Sequence, residues 1–212
     1  MEIARKQIAE QGAASLSLRA IARDMGMTAP AIYRYFLSRD DLLTALILNT
    51  YNRLADMLEA AIAEKAENDY SGRFLAFSLA YRDWAVANPQ DYMFIFTTSV
   101  PGYDAPDEVT APAAARSMQV FIDVLTKAMQ AGAVHPPTSA IAPTSGLARA
   151  ISEAEQRYGH ASSTLLAGLR GWARLHGLIT LEIFNHLEPI IGDASELYTL
   201  EVMDLLAHLG LD

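Results

Sequence analysis

The 212-residue sequence contains no cysteine. That excludes a disulfide scaffold, a thiolate nucleophile and any cysteine-ligated zinc or iron–sulfur centre. Long apolar runs are missing too: 177–184 is interrupted by Thr180 and Glu182, far short of a bilayer span. The first thirty residues hold no signal-peptide core. Catalytic signatures are equally scarce, with no Gly-x-Ser-x-Gly elbow, no phosphate-binding glycine loop and no His-Glu-x-x-His pair. The five histidines (His135, His160, His176, His186, His208) lack ligand spacing, and Glu182 with His186 offers two metal donors where three or four are needed. No catalytic residue, metal or cofactor is therefore assigned. Hydrophobic residues at 51% against charged ones at 19% describe a folded globular chain, read as soluble, cytoplasmic and without a membrane partner.

Positive charge is also in short supply, at 16 Lys and Arg against 25 Asp and Glu. Its distribution matters more than its sum. Residues 1–53 carry seven basic groups and five acidic ones, whereas the remainder carries nine and twenty. An acidic body repels phosphate, so nucleic-acid contact is expected only in the first quarter of the chain.

What is present is helical periodicity nearly everywhere, which predicts an all-α fold. Helices are expected at 2–11, 18–25, 29–36, 38–67, 71–88, 90–98, 113–131, 146–158, 161–187 and 195–209. Gly12 and Gly26 suit helix ends, Thr28 and Ser38 suit helix starts, and Pro30 is tolerated in a first turn. Breaks are expected at Asn88-Pro89, across Pro101 to Pro112, and in a loop over 132–146.

The helices 18–25 and 29–36 meet at Gly26-Met27, with the length and turn of a helix-turn-helix. Leu18, Ile21, Ala22, Met25, Ile32 and Phe36 form the inward set. That leaves Thr28, Ala29, Ala31, Tyr33, Arg34 and Tyr35 on the outside or its margins. Two tyrosines flanking an arginine can bond phosphates, and Arg34 can reach a guanine edge.

The stretch 16–47 resembles the N-terminal domain of the TetR (tetracycline-repressor-like) family of bacterial transcription regulators. Leu18-Arg19-x-Ile21-Ala22, Gly26-Met27-Thr28, Ile32-Tyr33-Arg34-Tyr35-Phe36 and Ser38-Arg39-x-x-Leu42-Leu43 carry the resemblance. It implies that Thr28, Ala29, Ala31, Tyr33 and Tyr35 face bases and phosphates. Ser17 and Arg19 would touch backbone from the preceding helix, and Arg39 would bind phosphate at the start of the long one. Family members usually begin several residues earlier, with a fuller first helix and often a basic arm, so the first helix is expected to be truncated here. The division expected is 1–48 for a helix-turn-helix domain and 49–212 for a ligand-binding and dimerisation domain.

In that second part, Leu165, Leu169, Trp172, His176, Ile179 and Ile183 follow one helical face, with Gly168 and Gly171 on another. Val202, Leu205 and Leu209 line the last helix. Helices apolar on more than one face are buried on more than one face, so pairing with a second copy is expected. The resemblance implies the same, a four-helix bundle made by the last two long helices. Leu165, Leu169, Ile179, Ile183, Val202, Leu205 and Leu209 are the candidates. Trp172, His176 and Gly177 are similar to a Trp-His-Gly signature of one C-terminal subgroup.

An aromatic stripe, Phe77, Tyr81 and Trp84, is followed by Phe96 and faces Met118 and Phe121. Such stripes are usually core. The resemblance places an effector pocket among these helices, and those residues with Trp172 and His176 are its candidates.

The resulting expectation is a ligand-responsive, homodimeric DNA-binding regulator, a repressor released from a pseudo-palindromic operator by a small apolar effector. The alternatives are a helical homodimeric small-molecule-binding protein, or an all-α enzyme, whose DNA-binding head is non-functional.

Overall fold

The computed structural model describes residues 1–97, 100–134 and 143–211. Among these, eleven α-helices and no strand are found. They are α1 (Glu2–Gln11), α2 (Leu18–Asp24), α3 (Ala29–Ile32), α4 (Arg39–Ala63), α5 (Tyr70–Ala87), α6 (Pro89–Phe96), α7 (Asp107–Gln130), α8 (Ser145–Tyr158), α9 (Ser162–Ile183), α10 (Glu188–Ile191) and α11 (Ser195–Leu209). No helix of the described residues is long and apolar enough to cross a membrane.

The chain groups into two compact units, one of residues 1–55 with 87–117 and one of 56–86 with 118–212. The first is built on a single buried cluster: Ala4 and Ile8 from α1, Leu18, Ile21 and Ala22 from α2, Ile32 from α3, Leu42, Leu43 and Leu46 from α4, and Phe94 from α6. Val100 joins it, and Phe36, Ile47, Ile95 and Tyr103 pack against it half-buried. Removing one such fully buried leucine to alanine costs about 2–5 kcal/mol.

In the second unit, α9 buries Gly168, Gly171, Leu175 and Ile179, and α11 buries Tyr198, Val202, Leu205, Leu206 and Leu209. Polar ties fix this packing. The Arg82 guanidinium grips Glu182 through two bonds, Nε to Oε2 at 2.8 Å and Nη2 to Oε1. The Tyr198 hydroxyl donates to the Ser78 carbonyl at 2.9 Å.

Several boundaries differ from expectation for identifiable reasons. α4 stops at Ala63 instead of 67, because residues 63–69 are all exposed and another turn would bury nothing. α7 starts at Asp107 and runs through Pro112 rather than starting at 113. The hydrogen bond that Pro112 cannot donate would have served the carbonyl of Glu108, an exposed residue, while Thr110 and Ala113 are buried and anchor the extra turns. α9 ends at Ile183, where Asn185 takes φ +60° and the amide of His186 reaches the Leu181 carbonyl at 2.8 Å. This is a Schellman-type close with asparagine where glycine is usual. Short helical turns at Ala13–Ser15 and α10 add to those expected. The expected loop over 132–146 and the end of the helix 90–98 fall partly outside the described residues, as does His135.

Gly168 meets α7 of its own chain, where a Cβ would overlap Ile122 Cδ1 and stand 3.6 Å from Leu125 Cδ1. Gly168→Val is therefore expected to lower the unfolding free energy by about 1–3 kcal/mol, the usual cost of overpacking. Urea unfolding followed by circular dichroism measures it, and an unchanged midpoint would contradict the contact.

Candidate nucleic-acid interface

The start of α2 is held by Ser17, whose Oγ accepts from the Ala20 amide at 3.4 Å while its own amide donates to Gln7 Oε1 at 3.1 Å. The turn into α3 needs Gly26 at φ +67°, which brings the Met27 amide to the Ala22 carbonyl at 2.8 Å. Thr28 occupies the position before α3 without the side-chain cap expected of it. α3 itself is four residues long, half the expected helix. Tyr33 to Phe36 continue it as looser turns, their amides reaching back to Ala29, Ala31 and Ile32 over 3.0–3.4 Å. The chain then enters α4 through a reciprocal capping box, the Asp41 amide donating to Ser38 Oγ at 3.0 Å and the Ser38 amide to Asp41 Oδ2 at 2.9 Å.

This geometry leaves a distinct outer surface. Tyr35 is 75% exposed, Tyr33, Arg34, Arg19 and Thr28 are exposed, and Ser17, Ala29 and Ala31 are half-buried at the margins. Neither Arg19 nor Arg34 forms an ion pair with a described residue, so both guanidinium groups are available to phosphate. Met25, expected inward, is instead exposed at the end of α2. Pro30 and Leu37 share the outer surface, Leu37 at 82% exposure. Reasoning from hydrogen-bonding capacity passes over both; their apolar exposure beside Tyr35 is what marks them.

Arg39 is placed differently from its neighbours. Its Nη2 donates to the carbonyls of Ala13 and Ala14, both at 3.2 Å, and its Nη1 lies 3.8 Å from Asp40. The guanidinium clamps the α1–α2 connection to the head of α4. Behind the surface, Arg5 of α1 bonds Asn49 of α4 and lies 3.7 Å from Asp91 of α6, which also holds Arg53 at 3.4 Å. Desolvation holds the Arg5 guanidinium below its ordinary value, against the opposing pull of Asp91.

Residues 1–46 match the family model for bacterial regulatory proteins of the tetR family, and residues 74–205 match the Tetracyclin repressor-like C-terminal domain. The chain belongs to the TetR family. An HTH-type transcriptional regulator of Mycobacterium tuberculosis is 36% identical over 187 residues, covering 87% of this chain and 79% of that protein. A second, uncharacterized HTH-type transcriptional regulator of the same species is 26% identical over 184 residues, covering 87% of this chain and 68% of its own. The solved structure of a regulatory protein designated SCO4313 superposes with a TM-score of 0.78 at 37% identity, covering 97% of this chain and 92% of that one. This protein is accordingly a DNA-binding transcriptional regulator and not an enzyme.

The TetR-type body places the remaining candidates unevenly. Phe77, Tyr81, Trp84 and Phe121 are buried, with Phe77 stacked on Phe121 at 4.9 Å, and Met118 is half-buried. Phe121 borders a cavity of about 250 Å³ lined by the apolar Phe74, Leu125, Leu166 and Leu205 and by the polar Ser163, Arg170, Arg174 and His208. Phe96 belongs to the first unit and packs there on Tyr51 and Tyr92. Of the dimerisation candidates, Ile179, Val202, Leu205 and Leu209 are sealed inside the subunit, Leu165 and Ile183 are half-buried, and Leu169 is exposed. The large apolar residues these two helices leave exposed are Leu169, Leu181, Leu200 and Met203. Periodicity found the apolar faces but could not say which one the subunit itself covers.

Trp172 stacks on His176 at 4.6 Å, and the Tyr81 hydroxyl lies 2.7 Å from His176 Nδ1. Burial holds this imidazole below its ordinary value, so the ring that bonds the Tyr81 hydroxyl through Nδ1 is neutral near pH 7.

Two outcomes follow. Tyr35→Ala should weaken DNA binding with an unchanged melting temperature, whereas Arg39→Ala should lose about 1–2 kcal/mol of stability through the freed carbonyls. Binding isotherms and urea titrations on both variants separate the roles. For His176 the unfolded chain protonates first as pH falls through about 6.5, so the contribution of the neutral buried ring is full above that pH and is lost below it. His176→Gln should flatten the fall in unfolding free energy between about pH 7.5 and 5.5; an unaltered slope would remove His176 from the account.

Proposed function

We propose that this protein is a homodimeric repressor that reads a pseudo-palindromic operator and is released from it by a small-molecule effector. The observation that carries the reading is the exposed Tyr33-Arg34-Tyr35 surface. It projects from a helix-turn-helix whose opposite face is fully engaged in a core, and solvent alone gives no reason to display two tyrosines there. Ala29–Ile32 and the turns after it enter a major groove. Thr28, Ala29, Ala31, Tyr33, Arg34 and Tyr35 contact bases and phosphates, and Ser17 and Arg19 contact the backbone. Arg39 serves mainly to hold its neighbours in place.

Dimerisation uses the exposed apolar residues Leu169, Leu181, Leu200 and Met203, and sets the two heads about 34–36 Å apart on successive major grooves. The effector need only bind the released and DNA-bound states unequally, by about 1–3 kcal/mol, to shift operator affinity five- to 150-fold. The cavity beside Phe121 and the aromatic helices around it support an apolar effector. Such a protein works in the cytoplasm, where operator DNA is.

Selection of bound duplexes from a random pool at moderate salt tests the reading: a pseudo-palindrome should be enriched, and a non-palindromic or absent motif would oppose it. Replacing both Leu200 and Met203 with Glu should give monomers by analytical ultracentrifugation and reduce operator affinity at least tenfold. A double variant that still sediments as a dimer would move the interface elsewhere.

A further inference from the structure

The first unit contains a cavity of about 400 Å³ between α4, the end of α6 and the start of α7. Its walls are mostly apolar, from Ile47, Phe94, Ile95, Val100, Ala111 and Ala114. Four polar side chains also line it: Tyr51, Tyr103, Asp107 and Thr110.

What these four can offer a ligand follows from where their protons already go. The Tyr51 hydroxyl donates to the Ile95 carbonyl at 2.9 Å. Thr110 Oγ1 donates to the Pro106 carbonyl at 3.2 Å. Tyr103 Oη lies 2.8 Å from Thr44 Oγ1, and the Thr44 proton is itself committed to the Asp40 carbonyl at 2.9 Å, so Tyr103 is the donor in that pair. A hydroxyl has one proton and two lone pairs. All three have spent the proton, and each keeps acceptor capacity. Asp107 adds a carboxylate, which only accepts when ionised. Among the described residues, no lysine, arginine or histidine lines the cavity. Burial also raises the Tyr51 phenol above its ordinary value, as expected where no cation stands near.

We infer that this cavity is a binding site for a small apolar amine or similar hydrogen-bond donor, and that it discriminates against carboxylates and other anions. The apolar walls take the hydrocarbon part, and the ring of acceptors with Asp107 takes the donor end. A carboxylate in the same position would meet side-chain acceptors and the like charge of Asp107, with no side-chain donor to receive it. The aromatic residues of the second unit are not involved, so this site is additional to the cavity beside Phe121.

Its place in the fold gives it a reach beyond binding. Phe94 and Ile95 stand on α6, and Asp91 of the same helix is the acid that engages Arg5 of α1. An occupant that shifts α6 therefore acts on the helix packed behind the helix-turn-helix. This second statement rests on the repressor reading above; the binding itself does not.

The test uses the full chain without DNA and three probes of equal length, n-hexylamine, n-hexanol and n-hexanoate, by isothermal titration calorimetry at pH 7. Hexylamine should bind at least about tenfold more tightly than hexanoate, the size of one charge-assisted hydrogen bond. Asp107→Asn, an exposed substitution that should not trouble folding, should narrow that ratio to within about threefold. Ala114→Phe, which fills the cavity, should abolish binding of hexylamine and hexanol alike. Hexanoate binding as well as hexylamine, no hexylamine binding at all, or hexylamine binding indifferent to both substitutions would each overturn the assignment. A separate titration of operator DNA with and without saturating hexylamine reads the coupling. Unchanged operator affinity there would sink the link through α6 and leave the site standing, whereas failure to bind any operator would bear on the repressor reading alone.

Discussion

A helix of four residues cannot hold itself, because nucleating a helical turn costs more than its few hydrogen bonds return. The segment of this protein proposed to face DNA is such a helix, followed by loose turns. It keeps its conformation because Ile32 is buried in, and Phe36 packs against, the cluster built by Leu18, Ile21 and Ala22 of α2 and Leu42, Leu43 and Leu46 of α4. Everything exposed on the head depends on that buried anchorage. The Ser38–Asp41 capping box fixes where α4 begins, and the Arg39 clamp fixes the α1–α2 connection against it. Tyr33 and Tyr35 are thereby displayed by a segment anchored through the buried Ile32. This separation lets the surface be read as functional: the side chains that face outward are not needed to keep the head folded.

The sequence made the head legible because its signals are local. Ser17, Gly26 and the Ser38 box act within a few residues of themselves, so a periodic pattern with caps is enough to place α2, the turn and α4. Spacing alone extends α3 too far, since Tyr33 to Phe36 satisfy helical periodicity while their amides stretch to 3.0–3.4 Å. Two other boundaries escaped notice because their punctuation is unusual. Pro112 sits inside α7 where an exposed turn tolerates it, and Asn185 closes α9 in the left-handed conformation that a reader assigns to glycine. The body was legible only as helices with apolar faces. Whether Val202 or Leu200 meets a second copy depends on which face the rest of the chain covers, and that information is not local. Gly168 shows the same point, since its lack of a side chain serves Ile122 and not a partner subunit. Arg39 shows it again: its type and position suit phosphate, while its Nη2 also ties the carbonyls of Ala13 and Ala14, a contact between distant segments that no local signal announces.

The division into units carries a further consequence. Residues 87–117 group with the head, although they lie more than fifty residues beyond its motif. α6 supplies Phe94 to the head's core and Asp91 to Arg5, so the buried cluster behind the helix-turn-helix is incomplete without a helix from the middle of the chain. A truncation after the first fifty residues would expose Leu42, Leu43 and Leu46 on the side that Phe94 and Val100 now cover. The head is therefore not an independent module appended to a sensor.

This arrangement bears on how a weak ligand could govern DNA binding. The pairs Arg5–Asp91 and Arg53–Asp91 share one carboxylate that is only modestly exposed, and Arg5 also engages Asn49 of α4. A partly buried charge with two partners is more sensitive to displacement than an exposed pair, because separation leaves an under-solvated guanidinium behind. Small movements of α6 thus change the energy of the contact steeply. The coupling needed for a repressor is only about 1–3 kcal/mol. A single partly buried ion-pair network is large enough to supply it, so no long chain of side-chain rearrangements is required between the cavity on α6 and the surface that carries Tyr35.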